Sequence, residues 1–205
     1  MPDLAFESAL HARGLKRIAG VDEAGRGPLA GPVAAAAVIL PAGFACPGLD
    51  DSKKIPAAKR EALYEEITTR PDVEWAVALA EAGEIDSLNI LRATHLAMRR
   101  AVESLRPAPD HCLIDGLPVR DFPLPHDAIV KGDGRSLSIA AASIIAKVTR
   151  DRIMRDLDAE FPEFGFARHQ GYGTKEHLEA LRIHGPCRHH RRSFQPVSQL
   201  TLPLD

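Results

Sequence analysis

The stretch RIAGVDEAGRGPLAGPVAAAAVIL, Arg17 to Leu40, decides how the rest of the chain is read. Arg17 to Asp22 is a short apolar run ending in acid and predicts a first strand. Pro32 to Leu40 is continuously apolar, as expected of a second strand buried on both faces. Gly25 to Gly31 is the turn between them. Asp22 and Glu23 stand directly before two glycines around an arginine, Gly25-Arg26-Gly27. Carboxylates supply the hard oxygen ligands that Mg²⁺ or Mn²⁺ prefers, and glycines let backbone groups approach a ligand that side chains would hold off. Acid beside a glycine cradle points to metal-dependent phosphate chemistry.

Further along, Pro56 to Arg70 has good helix formers with proline near its start, and Leu63 and Ile67 fall four apart. Val73 to Ala80 reads as a third strand. Helical patterns run from Ile85 to Leu105, with Leu88, Leu91, His95, Met98 and Val102 at three- and four-residue intervals, and Pro107 and Pro109 stop them. His111 to Asp115 is a short strand ending at Gly116, and Ala128 to Lys131 another ending at Gly132. Ser138 to Phe161 carries the longest helical pattern. A strand pair followed by alternating helices and strands predicts an α/β sheet with helices packed on it. A length of 205 residues suits one domain, with a core from about 17 to 197 and a tail at 198–205.

Hydrophobic content of 45% and charged content of 26% are those of an ordinary soluble protein, and no apolar run approaches the roughly 20 residues that cross a bilayer. Met1 to Arg17 lacks the apolar core of a signal peptide, so a cytoplasmic location is expected. Cys46, Cys112 and Cys187 show no CxxC spacing, which argues against a zinc site or disulfide framework. The net charge of −2 does not advertise nucleic-acid binding, yet HGPCRHHRR, from His184 to Arg192, concentrates positive charge.

Acids beside glycine recur at three predicted strand ends: Asp22-Glu23 before Gly25, Asp115 before Gly116, and Asp133 between Gly132 and Gly134. Strand ends of an open α/β sheet converge on a common crevice, so these acids can form one cluster able to hold two cations for phosphoryl transfer. Each is equally at home in a solvated turn, and spacing alone leaves convergence open. Successive side chains on a regular strand also point to opposite faces, so Asp22 and Glu23 cannot both face a site from ideal β geometry.

Six segments taken together resemble bacterial ribonuclease HII, a type 2 ribonuclease H: GVDEAGRGPLAGPV at Gly20–Val33, LDDSKK at Leu49–Lys54, LIDG at Leu113–Gly116, KGDGRSLSIAAASIIAKVTRD at Lys131–Asp151, HQGYGTKEH at His169–His177 and HHRRSF at His189–Phe194. The resemblance runs in order from about Arg17 to Val197. It implies a ribonuclease H-like mixed β-sheet flanked by helices, with a C-terminal helical extension. It implies an endonuclease that cuts the RNA strand of RNA–DNA hybrids, incises duplex DNA 5′ of embedded ribonucleotides, and leaves 3′-hydroxyl and 5′-phosphate ends. By this resemblance Asp22, Glu23, Asp115 and Asp133 are the catalytic acids and hold two Mg²⁺ or Mn²⁺ ions. Backbone groups of Gly25, Arg26 and Gly27 would bond the 2′-hydroxyl that distinguishes ribose, and the Tyr172 ring would stack on the following sugar.

Further phosphate contacts are expected from Ser52 and Lys53, from Ser143 and Lys147 one helical turn apart, and from Arg188, Arg191 and Arg192 of the basic segment. His169, His177, His184, His189 and His190 read as surface or packing residues. The tail Gln199 to Leu204 resembles peptides with which bacterial repair proteins dock into the sliding clamp, a glutamine anchoring by hydrogen bonds and leucines filling a pocket. The family resemblance further implies a monomer. Two other readings use the same residues: a transposase- or resolvase-type nuclease on this fold, which would need no ribose test, and a silent hybrid-binding module, which would not need four acids.

Overall fold

The expected strand pair forms around the glycine turn. In the computed structural model, which describes residues 1–200, β1 (Ile18–Ala24) runs antiparallel to β2 (Val33–Ile39) with Val21 opposite Ala37. β1 continues two residues past Asp22, so Glu23 and Ala24 still pair, with Ala35 and Ala34.

β2 also pairs antiparallel with β3 (Glu74–Ala80), while β4 (His111–Asp115) and β5 (His126–Ile129) extend the other side in parallel. The mixed sheet is ordered β3-β2-β1-β4-β5. β5 ends before the expected Lys131 because that residue takes a left-handed conformation, φ 56°, and leads into a 3₁₀ turn at Gly132–Gly134.

Helices cover both faces. α1 (Ala5–Ala12) precedes β1, α2 (Ala57–Thr68) follows β2, and α3 (Ala82–Leu88) and α4 (Ile90–Ser104) follow β3. α5 (Leu137–Glu160) is the longest. On one face Ala19, Val21 and Ala37 meet Ala97, Met98 and Ala101 of α4. On the other Ala36 and Val38 meet Ala140, Ile144 and Ile145 of α5, with Leu63 and Ile67 of α2 behind them. Small residues let α5 lie close to the sheet. A Cβ on Gly20 would fall 2.1 Å from the backbone carbon of Ser138, so helix and strand touch main chain to main chain.

The helical pattern expected over Ile85–Leu105 is divided between α3 and α4 at Asn89. Asn89 adopts φ 70°, and its side-chain oxygen accepts from the N–H groups of Leu91 and Arg92. Asparagine tolerates the left-handed region and makes a strong N-cap, and both properties break the helix where the apolar spacing runs on unbroken.

Before α5, a buried Glu7 from α1 accepts from Ser136 Oγ at 2.6 Å, Ser138 Oγ at 2.6 Å and Ser138 N–H at 3.0 Å. A carboxylate at a helix N-terminus satisfies free N–H groups and complements the helix dipole. The Asp133 turn is thereby pinned to the N-terminal helix. After α5, α6 (Phe166–His169), α7 (Lys175–His184) and α8 (Val197–Leu200) gather around Met154, Leu157 and Phe164, and this third core includes Leu29 and Ala30 of the glycine turn. Among the described residues no helix is long and apolar enough to cross a membrane.

Candidate active site

β1 and β4 are parallel neighbours with Val21 beside Ile114, so Asp22 and Asp115 follow as the next pair at their C-terminal ends. Asp22 is buried, and its Oδ1 accepts the Glu23 N–H at 2.7 Å. Asp115 Oδ1 accepts the Gly132 N–H at 2.7 Å, which ties β4 to the turn carrying Asp133. Two adjacent strands and one loop thus bring distant acids together.

Asp22, Glu23 and Asp115 line one cleft of about 220 Å³ with Gly25, Arg26, Gly27, Ser52, Lys53, Ser143, Lys147, Arg150 and Tyr172. Although Glu23 follows Asp22 on the strand, both line this cleft near the C-terminal end of central strand β1, where Arg26 Nη1 stands 3.4 Å from Glu23 Oε1. Asp133 opens onto an adjoining cleft of about 590 Å³, joined to the first through Asp115 and Lys53. Lys53 Nζ lies 3.8 Å from Asp133 Oδ2. A hollow of about 380 Å³ beside α2, lined by Arg60, Glu61 and Asp151, holds none of the four acids.

The electrostatics are those of a site short of positive charge. Burial, then repulsion from Glu23 and Asp115, raises the Asp22 carboxyl well above the usual range. Burial also raises Glu23, against the pull of Arg26, and it raises Asp133, with Asp115 adding to it. Burial alone would lower the Lys53 ammonium, but Asp22 and Asp133 hold it above its ordinary value.

An all-oxygen donor set of this charge fits Mg²⁺ or Mn²⁺ rather than a softer metal. Among the described residues no three His, Cys, Asp or Glu side chains are already closed into a cage. Oxygens from a phosphate substrate are the ligands such an open set would still accept.

The remaining expected contacts divide. Ser52 is buried, and its N–H donates to Ser143 Oγ at 3.3 Å, while Lys147 is ion-paired with Asp151 at 2.6 Å on the cleft wall. Tyr172 is 48% exposed, and its ring edge stands 3.4 Å from where a Cβ on Gly27 would be. The Tyr172 ring therefore packs beside the glycine turn, and both line the cleft.

Arg191 does not contact phosphate from the surface as expected. It is wholly buried, and its guanidinium donates to the backbone carbonyls of Gly25, Arg26, Pro28 and Gly31. A cluster of basic residues reads as a solvated patch in one dimension, and only the fold shows that one of them turns inward. Burial and the nearby Arg150 push its pKa down to about 9, which leaves it charged at neutral pH. Arg192 is exposed but lines neither cleft, and its N–H donates to Asp86 Oδ2 at 2.9 Å.

Arg150 was not anticipated. It is buried on the cleft wall and donates to the carbonyls of Pro32, Ala30 and Gln170 at 3.0, 3.1 and 3.1 Å. Its sequence signal is spacing: Ser143, Lys147 and Arg150 stand at i, i+4 and i+7 and share one helical face.

His169, His177 and His190 pack as buried rings against Phe164 and Phe166. The Cys187 N–H donates to His190 Nδ1 at 3.0 Å, so the His190 proton sits on Nε2, 3.0 Å from His177 Nε2. His177 then donates from Nδ1 to the Tyr172 carbonyl at 2.9 Å. Of the tail Gln199–Leu204, Gln199 and Leu200 are exposed at the end of α8, and Thr201–Leu204 lie outside the described residues.

A family model described as Ribonuclease HII matches residues 19–197. A ribonuclease HII of Ruegeria sp. (strain TM1040) is 58% identical over 200 residues, covering 97% of this chain and 86% of that relative. The crystal structure of ribonuclease H2 from Pyrococcus horikoshii OT3 superposes with a TM-score of 0.76 at 27% identity, covering 90% of this chain and 97% of that one. The structure of a PCNA:RNase HII complex from Archaeoglobus fulgidus gives 0.71 at 26% identity, covering 88% and 96%.

Proposed function

Since the chain belongs to the ribonuclease HII family and is an endonuclease of RNA–DNA hybrids, we propose that it also incises duplex DNA 5′ of an embedded ribonucleotide, with Asp22, Glu23, Asp115 and Asp133 as its catalytic acids. The observation that carries this reading is the shared cleft: three of the acids, the Gly25–Gly27 turn and Tyr172 line one hollow, so the ribose test and the cutting chemistry stand side by side.

Asp22, Glu23, Asp115 and Asp133 would hold two divalent cations, Mg²⁺ or Mn²⁺. When bound, the ions supply an activated water and neutralise charge on the departing 3′-oxygen. The protein supplies the rest. Lys53 and Lys147 place ammonium groups at the cleft wall for the phosphate backbone. Backbone amides of the glycine turn donate to the 2′-hydroxyl, and Tyr172, packed beside the turn, stacks on the next sugar. Burial of the acids keeps them within a few ångströms of the scissile phosphate without a protein nucleophile. Four acids would be costly to gather in a module that only bound hybrids, and a transposase-type nuclease would need neither the glycine turn nor Tyr172 for ribose.

The test is cleavage of duplex DNA containing one ribonucleotide, with Mg²⁺, Mn²⁺ or EDTA. Metal-dependent incision 5′ of the ribonucleotide, leaving 3′-hydroxyl and 5′-phosphate ends, is expected; intact duplex would reject the reading. For partners, we propose that Gln199–Leu204 docks into a sliding clamp. The complex formed by the Archaeoglobus relative with PCNA supports that reading, as do the exposed Gln199 and Leu200. Removal of residues 199–205 should abolish clamp affinity in a pull-down or calorimetric titration while leaving cleavage of free duplex intact.

A further inference from the structure

Arg191 forms no ion pair among the described residues, yet it is 0% exposed. Nη1 donates to the carbonyls of Arg26 and Pro28 at 2.9 and 2.8 Å, while Nη2 reaches Gly25 and Gly31, and Nε also reaches Gly31 at 3.0 Å. Its own N–H holds the Leu29 carbonyl at 2.8 Å. Arg150 takes the carbonyls of Ala30 and Pro32. Across residues 25–32 every carbonyl but that of Gly27 is therefore turned inward onto these two arginines.

A trans peptide plane carries its C=O and the next residue's N–H in opposite directions. Drawing the Gly25 and Arg26 carbonyls onto Arg191 turns the N–H groups of Arg26 and Gly27 away from it. Neither amide has an acceptor within the protein among the described residues. Two donors are thus fixed in direction and left without a partner in a loop that lines the cleft.

We propose that Arg191, assisted by Arg150, is the positioning residue for ribose recognition: it aims the Arg26 and Gly27 amides at the 2′-hydroxyl without touching substrate itself. This rests on the reading of Gly25–Gly27 as the ribose test. Arginine suits the role because its planar fork presents five donors in fixed geometry, whereas lysine keeps the charge with three donors at one point. Arg150 links the far end of the loop to the Gln170 carbonyl, and the Leu29 N–H donates to the Gly171 carbonyl at 2.8 Å, so the same scaffold sets the distance to Tyr172.

The experiment measures kcat and KM on two DNA duplexes that differ at a single nucleotide, one carrying ribose and the other 2′-fluoro-2′-deoxyribose, a poor hydrogen-bond acceptor. Wild type, R191K and R150K are compared, with melting curves confirming that each is folded. Wild type should prefer ribose strongly. R191K should lose roughly tenfold to a hundredfold in kcat/KM on the ribose duplex, the cost of misplacing a binding group by about an ångström. Its rate on the fluoro duplex should change little, so the preference shrinks by that same factor. R150K should shrink it in the same direction by less, and it decides the matter if R191K does not fold. Equal losses on both duplexes would make Arg191 a merely structural residue and overturn the proposal. A wild-type enzyme indifferent to the fluorine would instead remove the ribose-test reading on which it stands.

Discussion

Asp22 and Asp115 lie side by side on neighbouring parallel strands, one residue beyond the paired Val21 and Ile114, and their carboxylates repel each other. Burial first, then repulsion from Glu23 and Asp115, makes Asp22 keep its proton in the folded chain to a higher pH than in the unfolded chain, where carboxyls ionise near 3.8. The folded state binds more protons above the unfolded value, so stability falls as pH rises through that window. Asp22→Asn should abolish cleavage while raising the metal-free melting temperature at pH 7 by a few degrees, on the order of 1 kcal/mol. Mg²⁺ should raise the melting temperature of wild type more than that of the variant. Differential scanning calorimetry with and without metal checks both.

Tyr172 packs beside Gly27 in the cleft, the place proposed for the sugar after the ribonucleotide. Tyr172→Ala should lower kcat/KM on a single-ribonucleotide duplex by about tenfold or more, since base and sugar stacking on an aromatic contributes roughly 1–3 kcal/mol. Long RNA–DNA hybrids should suffer less. Parallel time courses on the two substrates check this, and equal losses would count against junction reading.

The relay from Cys187 through His190 and His177 to the Tyr172 carbonyl requires both imidazoles neutral. Burial, with His177 adding to it, pushes His190 down to about 3. Unfolded histidine takes up a proton near 6.5 while the folded ring does not, so stability should fall with acidification from about pH 6.5 toward 3. The slope from one such histidine is at most about 1.4 kcal/mol per pH unit. His190→Asn should be less stable than wild type at pH 7 but show a shallower loss between pH 6.5 and 4.5, as read by urea denaturation at each pH.

Gly20 lets α5 touch β1 at the backbone. Gly20→Ala places a methyl 2.1 Å from the Ser138 carbon, and neither main chain can yield without moving Asp22 or the Asp133 turn. A destabilisation of about 3 kcal/mol is expected from overpacking, with cleavage reduced even at temperatures where the variant is folded. Chemical denaturation and a cleavage assay at 20–25 °C read the two effects.

Much of the sheet is legible along the chain because strands buried on both faces leave uninterrupted apolar runs. Val33–Ile39 is such a run, and β1 and β4 betray themselves by ending in acid beside glycine. The split at Asn89 was hidden because apolar spacing continues through it, and helical periodicity carries no record of one residue's φ. Asp22, Glu23 and Asp115 were legible as candidates for the same reason as their strands. The roles of Arg150 and Arg191 were not, since an arginine's role depends on which carbonyls surround its fork, and most of those come from residues more than 100 positions away.

Residue order alone carries the strand pattern, the acids at strand ends, the glycine turn and the six motifs, because these rest on local periodicity, turn chemistry and composition. Convergence belongs to the folded molecule. Parallel pairing of β1 with β4 sets Asp22 beside Asp115, the Asp115–Gly132 hydrogen bond draws in the Asp133 turn, and the cleft at the strands' C-terminal ends admits Glu23. A basic segment that reads as surface instead sends Arg191 inside, where buried carbonyls need a donor and a buried cation needs acceptors, and each meets that need for the other.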